Sequence, residues 1–295
     1  MDIRVLRYFL AVAREENISN AAKILHVTQP TLSRQLMELE ADLGVKLFSR
    51  SSGNRSITLT EDGILLRKRA EEILDLVEKT ESELTAPGER VSGSIHVGSG
   101  ETHVISLLSK EIKHIQNEHP DIHFHFFSGN ADNVTEKLDN GLIDFGVLTE
   151  PFNLSKYDSI MLPASDTWGL LMKKEHPLAK KDSICASDLW NLPLICSSQQ
   201  MTSHTFSAWL KDDLEKLNIV ATYTLLYNAS LLVKDDIGCA LCLDKIISTS
   251  KGSGLCFRPL EPALEAHWYV VWKKHQIFSK ASDIFLKKLQ EKFSR

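Results

Sequence analysis

The sequence has no long uninterrupted apolar run. Of its 295 residues, 43% are hydrophobic and 25% are charged, and no stretch approaches the roughly 18 apolar residues of a membrane-spanning helix. The opening segment, MDIRVLRYFLAVAREEN, carries charges where a signal peptide needs an apolar core. The composition argues against a membrane protein, and we expect a cytoplasmic protein of two or three domains.

The chain also lacks an overall excess of positive charge. Its formal net charge is -5 and its pI is about 6.1. Any contact with nucleic acid therefore has to come from a local patch, because the protein as a whole does not attract phosphates. The total charge neither supports nor excludes DNA binding.

Cysteine is scarce, and the number of cysteines is odd. The five are Cys185, Cys196, Cys239, Cys242 and Cys256. In a reducing compartment we interpret them as free thiols. Cys239 and Cys242 form a CxxC, but the motif lies in the apolar run CALCL without the second pair or the histidines of a zinc site. A buried strand is the favoured interpretation over a metal or redox site.

Catalytic motifs are absent from the sequence as well. There is no GxSxG, no Walker A sequence, no HExxH and no GxGxxG after a strand. His123 and His125 share a strand face and could be imagined as ligands, but a His-x-His between phenylalanines is more often packed or facing solvent. We therefore expect neither an enzyme nor a cofactor or metal site.

What the sequence does contain begins with three short helices. Asp2 caps the first, and Ser19 is predicted to cap the second. Thr28 is a good cap for a third helix over 29–43, with Pro30 in the first turn, where a missing N–H costs nothing. Gly44 ends it. Two short helices joined by a tight turn are a helix-turn-helix pattern.

The third helix has two different faces. A stripe spaced four, three and four residues apart must face a core, and it consists of Leu32, Leu36, Leu39 and Leu43. The opposite face at the front carries side chains suited to base edges and phosphates, namely Gln29, Pro30, Thr31, Ser33 and Arg34. The rear half carries Glu38, Glu40 and Asp42, which DNA would repel. Only the front should enter a groove.

A small β-wing follows this helix. Ser52, Gly53 and Asn54 form a turn between two short strands. Arg50 at the base and Arg55 near the tip can pair with phosphates beside the groove. Each arginine alone is more often a solvated surface charge, but the helix face and the wing together favour DNA binding.

A long helix over 60–84 comes next, opened by TxED. Its apolar residues recur at near-heptad spacing, and they are Leu66, Ala70, Ile73, Val77 and Leu84. Such a stripe outside a core needs a partner helix, so we expect this helix to pair with its copy in another subunit. The segment TAPGERVSGS, 85–94, then ends it with residues typical of a hinge.

The remainder of the chain alternates between strand and helix patterns. Strand candidates are 95–98, 122–127, 145–148, 169–172, 194–196, 220–226, 239–243 and 269–272. Helix candidates are 103–118, 133–140, 204–217, 229–235 and 279–292. This alternation predicts an α/β architecture with largely parallel sheets.

These residues resemble the LysR-type transcriptional regulator family over essentially the whole chain. The stretches that carry the resemblance are RYFLAVAREENISNAAKILHVTQPTLSRQLMELEADLGVKLFSR, LTEDG, LDNGLIDFGV and LVKDDIGCALCL. The resemblance implies a winged helix-turn-helix over 1–60, a linker helix and hinge over 61–92, and an effector domain over 93–295. That domain would resemble periplasmic binding proteins, with one α/β lobe at 93–163 and 267–295 and a second at 164–266.

The resemblance also assigns site residues. It implies DNA reading by Gln29, Pro30, Thr31, Ser33 and Arg34, with backbone contacts from Arg50 and Arg55. It places effector binding at Ser99, Gly100, Glu101, Thr102, Ser128, Gly129, Thr202, Ser203 and Asn228. Two residues depart from the family pattern, because Asp236 stands where a glycine is common and Leu243 where a proline is.

The residues themselves favour the same cleft. In open α/β sheets, ligands settle beyond the carboxyl ends of strands, where turns supply small polar residues and helices supply free N–H groups. Hydroxyls at Ser99, Thr102, Ser128 and Thr202 would favour an anionic effector, although any single serine is equally well a helix cap. Glu101 opposes an anion if it points into the cleft, so a neutral or cationic ligand remains an alternative.

The expected partners are promoter DNA, a small-molecule effector and further copies of the chain, as a dimer of dimers or homotetramer. RNA polymerase is a candidate partner, and no membrane contact is expected. The rival interpretation is a solute-binding transport protein, which shares the α/β cleft. It leaves the first 60 residues unexplained and lacks its export signal.

Overall fold

The computed structural model describes residues 1–50, 57–84, 91–150, 152–198, 204–211 and 214–294, without the side chains of Arg50, 82–84, 204 and 205. The chain divides into two compact units, Met1–Thr85 and Ala86–Arg295. The elements of the first unit are α1 Ile3–Glu15, α2 Ile18–Ile24, α3 Gln29–Leu43, β1 Phe48–Arg50, β2 Ile57–Leu59 and α4 Glu61–Leu84.

Caps define the helices of the first unit. Asp2 accepts a hydrogen bond from the Arg4 backbone N–H and starts α1, and Thr28 accepts one from the Thr31 N–H and starts α3. Both predicted caps are confirmed, as is the left-handed Gly44 that ends α3. The prediction of Ser19 is wrong. Asn17 caps α2 one residue before its start, so Ser19 already lies inside that helix.

The leucine stripe of α3 is buried as predicted, with one exception. Leu32, Leu36 and Leu39 lie in a core with residues of α1 and α2. Leu43 is 41% exposed, because it lies in the last turn of α3, beyond the core of this unit. The buried side of α3 therefore fixes which side faces outward.

The front half of α4 is covered within its own unit. Ala70 belongs to the core, and Leu66 and Ile73 pack against it. The expectation that this stripe has no cover is therefore wrong for these three residues. A different part of α4 stays exposed, and it carries Ile64, Leu65 and Leu76.

The second unit is built on one nine-stranded sheet. Its elements are β3 Gly93–Ser99, α5 Ile105–Glu118, β4 Ile122–Ser128, α6 Ala131–Asp139, β5 Phe145–Thr149, β6 Tyr157–Lys173, β7 Pro193–Ser197, α7 His204–Trp209, β8 Asn218–Tyr223, α8 Leu226–Lys234, β9 Cys239–Leu243, β10 Leu255–Pro259, β11 Glu265–Lys273 and α9 Lys280–Phe293. Short 3-10 turns occur at Pro177–Lys180, Ala186–Leu189 and Leu214–Lys216.

The sheet is parallel in its two outer parts and antiparallel in the middle. The strand order is β4-β3-β5-β11-β6-β9-β7-β8, with β10 beside β6. β3 runs parallel to β4 and β5, and β7 runs parallel to β8 and β9. β6 and β11 pair antiparallel with each other and with their outer neighbours, so the expectation of largely parallel sheets is wrong for the centre.

The two central strands join the two lobes. One half of β6 pairs with β11, and its other half pairs with β9 and β10. Separate hydrophobic cores lie on the two sides, one formed by residues such as Phe145 and Phe285, and another by residues such as Phe206 and Leu241. The result is two α/β lobes connected by two crossing strands, which matches the predicted fold class.

Some local predictions differ from the structure. Among the described residues of 204–217, the α-helix covers His204–Trp209 and a 3-10 turn covers Leu214–Lys216, and Lys211 after the helix adopts a left-handed conformation with φ of 55°. Strand β10 and the first half of β6 were not predicted. Asp236 adopts a left-handed backbone with φ of 60°, a conformation that glycine accepts without strain, and Leu243 is buried at the end of β9.

The CxxC lies in strand β9, as expected. Cys239 and Cys242 are both buried, and burial raises the pKa of the Cys239 thiol to about 12. Burial and the nearby Asp244 also raise the pKa of Cys242. Both thiols are therefore protonated at neutral pH, and protonated thiols are poor nucleophiles and poor metal ligands.

Candidate DNA-binding surface and effector cleft

The front of α3 presents a polar surface. Gln29, Pro30, Thr31 and Arg34 are exposed and Ser33 is half-buried, while Leu32 and Leu36 between them are buried. The five predicted reading residues therefore lie together at one end of one helix. A helix end with hydrogen-bonding side chains fits the width of a DNA major groove.

The side chains on this surface bind one another. Gln29 Nε2 donates to Ser33 Oγ at 3.2 Å, and the hydroxyls of Thr28 and Thr31 lie 2.8 Å apart. Arg34 Nε donates to Glu38 Oε1 at 2.8 Å. These bonds lie at the surface, where water and phosphate compete with them, so they can be exchanged for contacts to DNA at low cost.

Arg34 is the cation of this surface. Its side chain is 78% exposed, and the hydrogen bond and charge of Glu38 raise the pKa of its guanidinium. Glu38 also accepts from Gln35 Nε2 at 2.9 Å. Because two neighbours hold Glu38, its charge stays near Arg34, and DNA has to compete with it for the guanidinium.

The wing is present as a two-stranded sheet. β1 and β2 pair antiparallel, with Ser49 opposite Thr58 and Arg50 opposite Ile57. The predicted turn of Ser52, Gly53 and Asn54, Arg55 near the tip and the side chain of Arg50 lie outside the described residues. The backbone places Arg50 at the outer end of β1 and not at the base of the wing, so that prediction is wrong, and its phosphate contact stays a prediction.

Glu40 has a role that the sequence did not reveal. Its side chain is only 10% exposed, and it accepts hydrogen bonds from the Leu47 and Phe48 N–H groups at 2.9 and 3.3 Å. Lys46 Nζ lies 2.7 Å from its other oxygen. Burial opposes ionisation, but these three bonds outweigh it and lower the pKa of Glu40. Glu40 therefore fastens the wing to α3 and does not face DNA.

The base of the wing also has a tightly packed glycine. Thr60 donates to the Lys46 carbonyl at 2.6 Å and accepts from the Gly63 N–H at 3.0 Å. A Cβ on Gly63 would lie 2.1 Å from the Leu47 carbonyl oxygen. Only glycine allows α4 to approach the wing this closely.

In the second unit, four predicted effector residues lie at the end of β3 and in the turn after it. Ser99 is buried, and its hydroxyl donates to the Gly100 carbonyl at 2.7 Å. A Cβ on Gly100 would lie 3.4 Å from the Trp268 ring. The Gly129 N–H donates to the Ser99 carbonyl at 3.0 Å. The turns after β3 and β4 are thus joined at the same edge of the sheet.

Glu101 reaches from this turn to the other lobe. Its Oε2 accepts a hydrogen bond from the N–H of Leu226, the first residue of α8. Burial raises the pKa of Tyr223 well above its usual range, and the charge of Glu101 adds to that shift. The carboxylate therefore caps α8 at the strand ends of the second lobe.

Thr102 binds a carboxylate on the crossing strand. Its hydroxyl donates to Asp166 Oδ2, which also accepts from the Trp268 indole N–H at 3.0 Å. Asp166 is 0% exposed, and Oδ1 has no hydrogen-bond donor among the described residues. Burial and repulsion from Asp244 raise the pKa of Asp166, although the bonds from Thr102 and Trp268 act against this.

Two of the remaining predicted effector residues are less enclosed. Ser128 is exposed at the end of β4, and Asn228 is exposed in the first turn of α8. Thr202 and Ser203 lie outside the described residues. The structure therefore brings Ser99, Gly100, Glu101, Thr102 and Gly129 together at the cleft edge.

Asp166, Trp268 and Asp244 were missed by sequence reasoning. Asp244 follows β9 and accepts from the Thr167 N–H at 2.9 Å, and Lys245 Nζ lies 2.9 Å from its other oxygen. A single aspartate within or after a strand carries no motif. Only the antiparallel pairing of β6 with β11 brings Asp166 beside Trp268.

The predicted rival sites take ordinary structural roles. His125 stacks on His96 with ring centroids 4.8 Å apart, and burial together with His96 and His123 lowers its pKa. Over the described ranges, no group of three His, Cys, Asp or Glu side chains could hold a metal ion. Within the same ranges, no helix is both long and apolar enough to cross a membrane.

Comparison with known families identifies both units. Residues 3–64 match the family described as "Bacterial regulatory helix-turn-helix protein, lysR family". Residues 88–294 match the "LysR substrate binding domain". The chain belongs to the LysR family of transcriptional regulators, with a helix-turn-helix DNA-binding domain and a substrate-binding effector domain, and this family consists of regulators and not of enzymes.

Individual relatives agree with this assignment. The chain is 36% identical over 197 residues to the HTH-type transcriptional regulator BsdA of Bacillus subtilis, an alignment covering 66% of each chain. It is 29% identical over 219 residues to the hydrogen peroxide-inducible genes activator of Pectobacterium carotovorum, covering 72% of each. These alignments span about two thirds of the relatives' lengths.

Solved structures show the same fold. Full-length CbnR, crystallised with its target DNA, superposes with a TM-score of 0.76 at 20% identity, covering 99% of both chains. HinK, a LysR family transcriptional regulator from Pseudomonas aeruginosa, superposes with a TM-score of 0.54 at 22% identity, covering 99% of this chain and 98% of that one. At these identities the likeness establishes the fold alone.

Proposed function

We propose that this chain controls transcription by placing the front of α3 in the major groove of promoter DNA. The reading residues are Gln29, Pro30, Thr31, Ser33 and Arg34, and the wing residues Arg50 and Arg55 contact phosphates on either side. The observation that carries the proposal is the polar, exposed front of a helix whose other face is buried. In the proposed division, residues 1–60 bind DNA, residues 61–92 form the linker and hinge, and residues 93–295 bind the effector. The protein works in the cytoplasm.

Charge supports this orientation of α3. A protein with a net charge of -5 needs a local cation to approach DNA. Arg34 supplies it at the exposed front, whereas the half-buried Glu40 is neutralised by Lys46 and backbone N–H groups. The negative rear of α3 is thus less repulsive than its sequence indicates.

Substitution of Arg34 tests this proposal. Fluorescence anisotropy on the promoter region upstream of the protein's own gene should show that Arg34→Ala weakens binding roughly 5- to 150-fold at fixed salt. Arg67→Ala is a matched control, because Arg67 also pairs with a glutamate four residues later and is 51% exposed. Equal affinities of the two variants would contradict the placement of α3.

We further propose that a small-molecule effector binds where the strand ends of the two lobes face each other. Support comes from Glu101 and Thr102, two adjacent side chains that join the first lobe to α8 and to the crossing strand. A ligand that binds one arrangement of the lobes better than another shifts their equilibrium. Ser128, Thr202, Ser203 and Asn228 remain proposed ligand contacts.

We propose as well that copies of the chain pair through α4. Leu65 and Leu76 are exposed and eleven residues apart, which places them on the same side of a helix. Paired subunits would present two α3 helices to successive half-sites about one helical turn apart. Two such dimers would form the expected tetramer, with RNA polymerase as a candidate partner at the promoter.

A further inference from the structure

Three carboxylates converge on the strand-end edge between the lobes. Glu101 comes from the turn after β3, Asp166 from the crossing strand β6, and Asp244 from the end of β9. The Thr102 hydroxyl, next to Glu101, donates to Asp166, and the Thr167 N–H, next to Asp166, donates to Asp244 at 2.9 Å. The three carboxyl groups are therefore linked through adjacent residues, and Lys245 Nζ lies 2.9 Å from Asp244.

The hydrogen-bond donors that could bind an anion here already donate to acceptors within the protein. The N–H of Leu226 at the start of α8 donates to Glu101. The Ser99 hydroxyl donates to the Gly100 carbonyl, and the Thr102 hydroxyl donates to Asp166. An anionic ligand would have to displace these bonds and would also face the three carboxylates. The anionic effector that the sequence favours is thus opposed by the structure.

Asp166 is a buried group whose hydrogen bonding is incomplete among the described residues. It is completely buried, and its Oδ1 lacks a donor among the described residues. Its Oδ2 is held by Thr102 of the β3 turn and by Trp268 of β11, so the carboxyl group lies beside the turn that follows β3. A buried carboxylate oxygen without a donor is costly, and a cation or a strong donor offsets that cost.

An aromatic ring lies beside this oxygen. Trp268 donates its indole N–H to Asp166, and its ring lies close enough to Gly100 that an added Cβ would be 3.4 Å away. Carboxylates next to an indole form the usual surroundings of an organic cation in proteins, because the ring face attracts positive charge. Glycine at position 100 keeps the approach to this ring open.

We propose that the cleft receives a small organic cation whose ammonium or amidinium group binds the Asp166 and Glu101 carboxylates. This inference rests on the proposed effector cleft and names the chemical class of its ligand. Cation binding also makes the two carboxylates, one from the turn after β3 and one from the crossing strand β6, share one positive charge. Because Glu101 also accepts from the Leu226 N–H of the second lobe, ligand binding and the contact between the lobes are coupled.

Thermal unfolding of the full-length protein with defined probes tests the inference. The cations are ethylammonium, putrescine and benzamidine, and the anions are acetate, succinate and inorganic phosphate, all at constant ionic strength. We expect a saturable rise in Tm with at least one cation and with none of the anions. Asp166→Asn and Glu101→Gln should each lower the affinity for that cation about tenfold or more, because each removes a charged acceptor.

Asp158→Asn is the matched control. Asp158 is an exposed aspartate of the same strand, eight residues before Asp166 and thus about 26 Å away along an extended strand, so this variant should respond to the cation like the wild type. Glu101→Gln keeps an acceptor for the Leu226 N–H and guards against a folding defect in Asp166→Asn. Stabilisation by anions alone, no saturable response to any cation, or an undiminished response in both cleft variants would overturn the inference.

A negative result in this test can be distinguished from a negative result in the test of the proposed function. Promoter binding depends on the first unit, so an effect of Arg34→Ala beside an inert cation panel would leave the regulator intact and remove only the ligand class. Loss of both the Arg34 effect and the cation response would count against both proposals.

Discussion

The two candidate sites of this protein are built in opposite ways. The DNA-binding surface consists of neighbouring residues on one helix, exposed and bonded to one another within four positions. The cleft gathers Glu101, Asp166 and Trp268 from distant parts of the sequence, with Glu101 half-buried and the other two buried. A site on one helix tolerates change locally, whereas a site on strand ends depends on the whole sheet.

The largest expected effect concerns the support of the surface site. Gly63→Ala places a methyl group 2.1 Å from the Leu47 carbonyl oxygen. Backbone has to move, so we expect a loss of about 1–3 kcal/mol in the free energy of unfolding, together with weaker DNA binding. Urea denaturation checks this. Gly252→Ala, with nothing within 4 Å of the new methyl, should be close to neutral.

A second prediction concerns the exposed side of α4. Replacing Leu65 and Leu76 by lysine should weaken self-association, by about 10- to 100-fold for each leucine that the dimer buries. Light scattering at a series of micromolar concentrations measures this. Both residues are exposed within the chain, so the monomer should keep its circular dichroism. An unchanged oligomer would place the contact elsewhere.

For the cleft, Asp166→Asn should change how stability depends on pH. Burial raises the pKa of Asp166 in the folded protein above its unfolded value, so the folded state holds this proton more tightly. The wild type therefore loses stability as pH rises from about 4, the unfolded pKa, through the folded value. The asparagine variant lacks that loss.

Its free energy of unfolding relative to the wild type should accordingly rise between about pH 4 and pH 7. Denaturation at both pH values measures the difference. A constant difference would mean that the Asp166 carboxyl group has similar surroundings in the folded and unfolded chain. Asp158→Asn serves again as the exposed control.

The smallest expected effect is at Asp236. Its φ of 60° is left-handed, and a glycine there avoids a Cβ penalty of about 1 kcal/mol. Asp236→Gly loses the ion pair with Lys173 at 2.6 Å, which is exposed and contributes little. A slight gain in Tm is expected. A clear loss would show that the ion pair outweighs the backbone strain.

Local rules predicted the first unit well. The Thr28 cap, the Gly44 end and the burial of Leu32, Leu36 and Leu39 follow from residues close in sequence. The two errors, the cap at Ser19 and the burial of Leu43, each concern a single turn at the end of a helix. Glu40 is different, because its partners are seven and eight residues away in another element, and no local pattern shows that contact.

In the second unit, sequence patterns indicated the fold class but not the strand pairing at the centre of the sheet. Alternating strands and helices predict α/β lobes, but the antiparallel pairing of β6 with β11 joins residues about a hundred positions apart. That pairing decides the surroundings of Asp166. The hydroxyls at Ser99 and Thr102 were correctly placed at strand ends, but their hydrogen-bond partners became visible only in the folded chain.

The most direct test of the account compares affinity for the promoter with affinity for a scrambled duplex of equal length at the same salt. If the front of α3 reads base edges, Arg34→Ala lowers the ratio of specific to non-specific affinity, and Arg67→Ala leaves it unchanged. A fall in both affinities by the same factor, or no change in either, would contradict base reading by this helix.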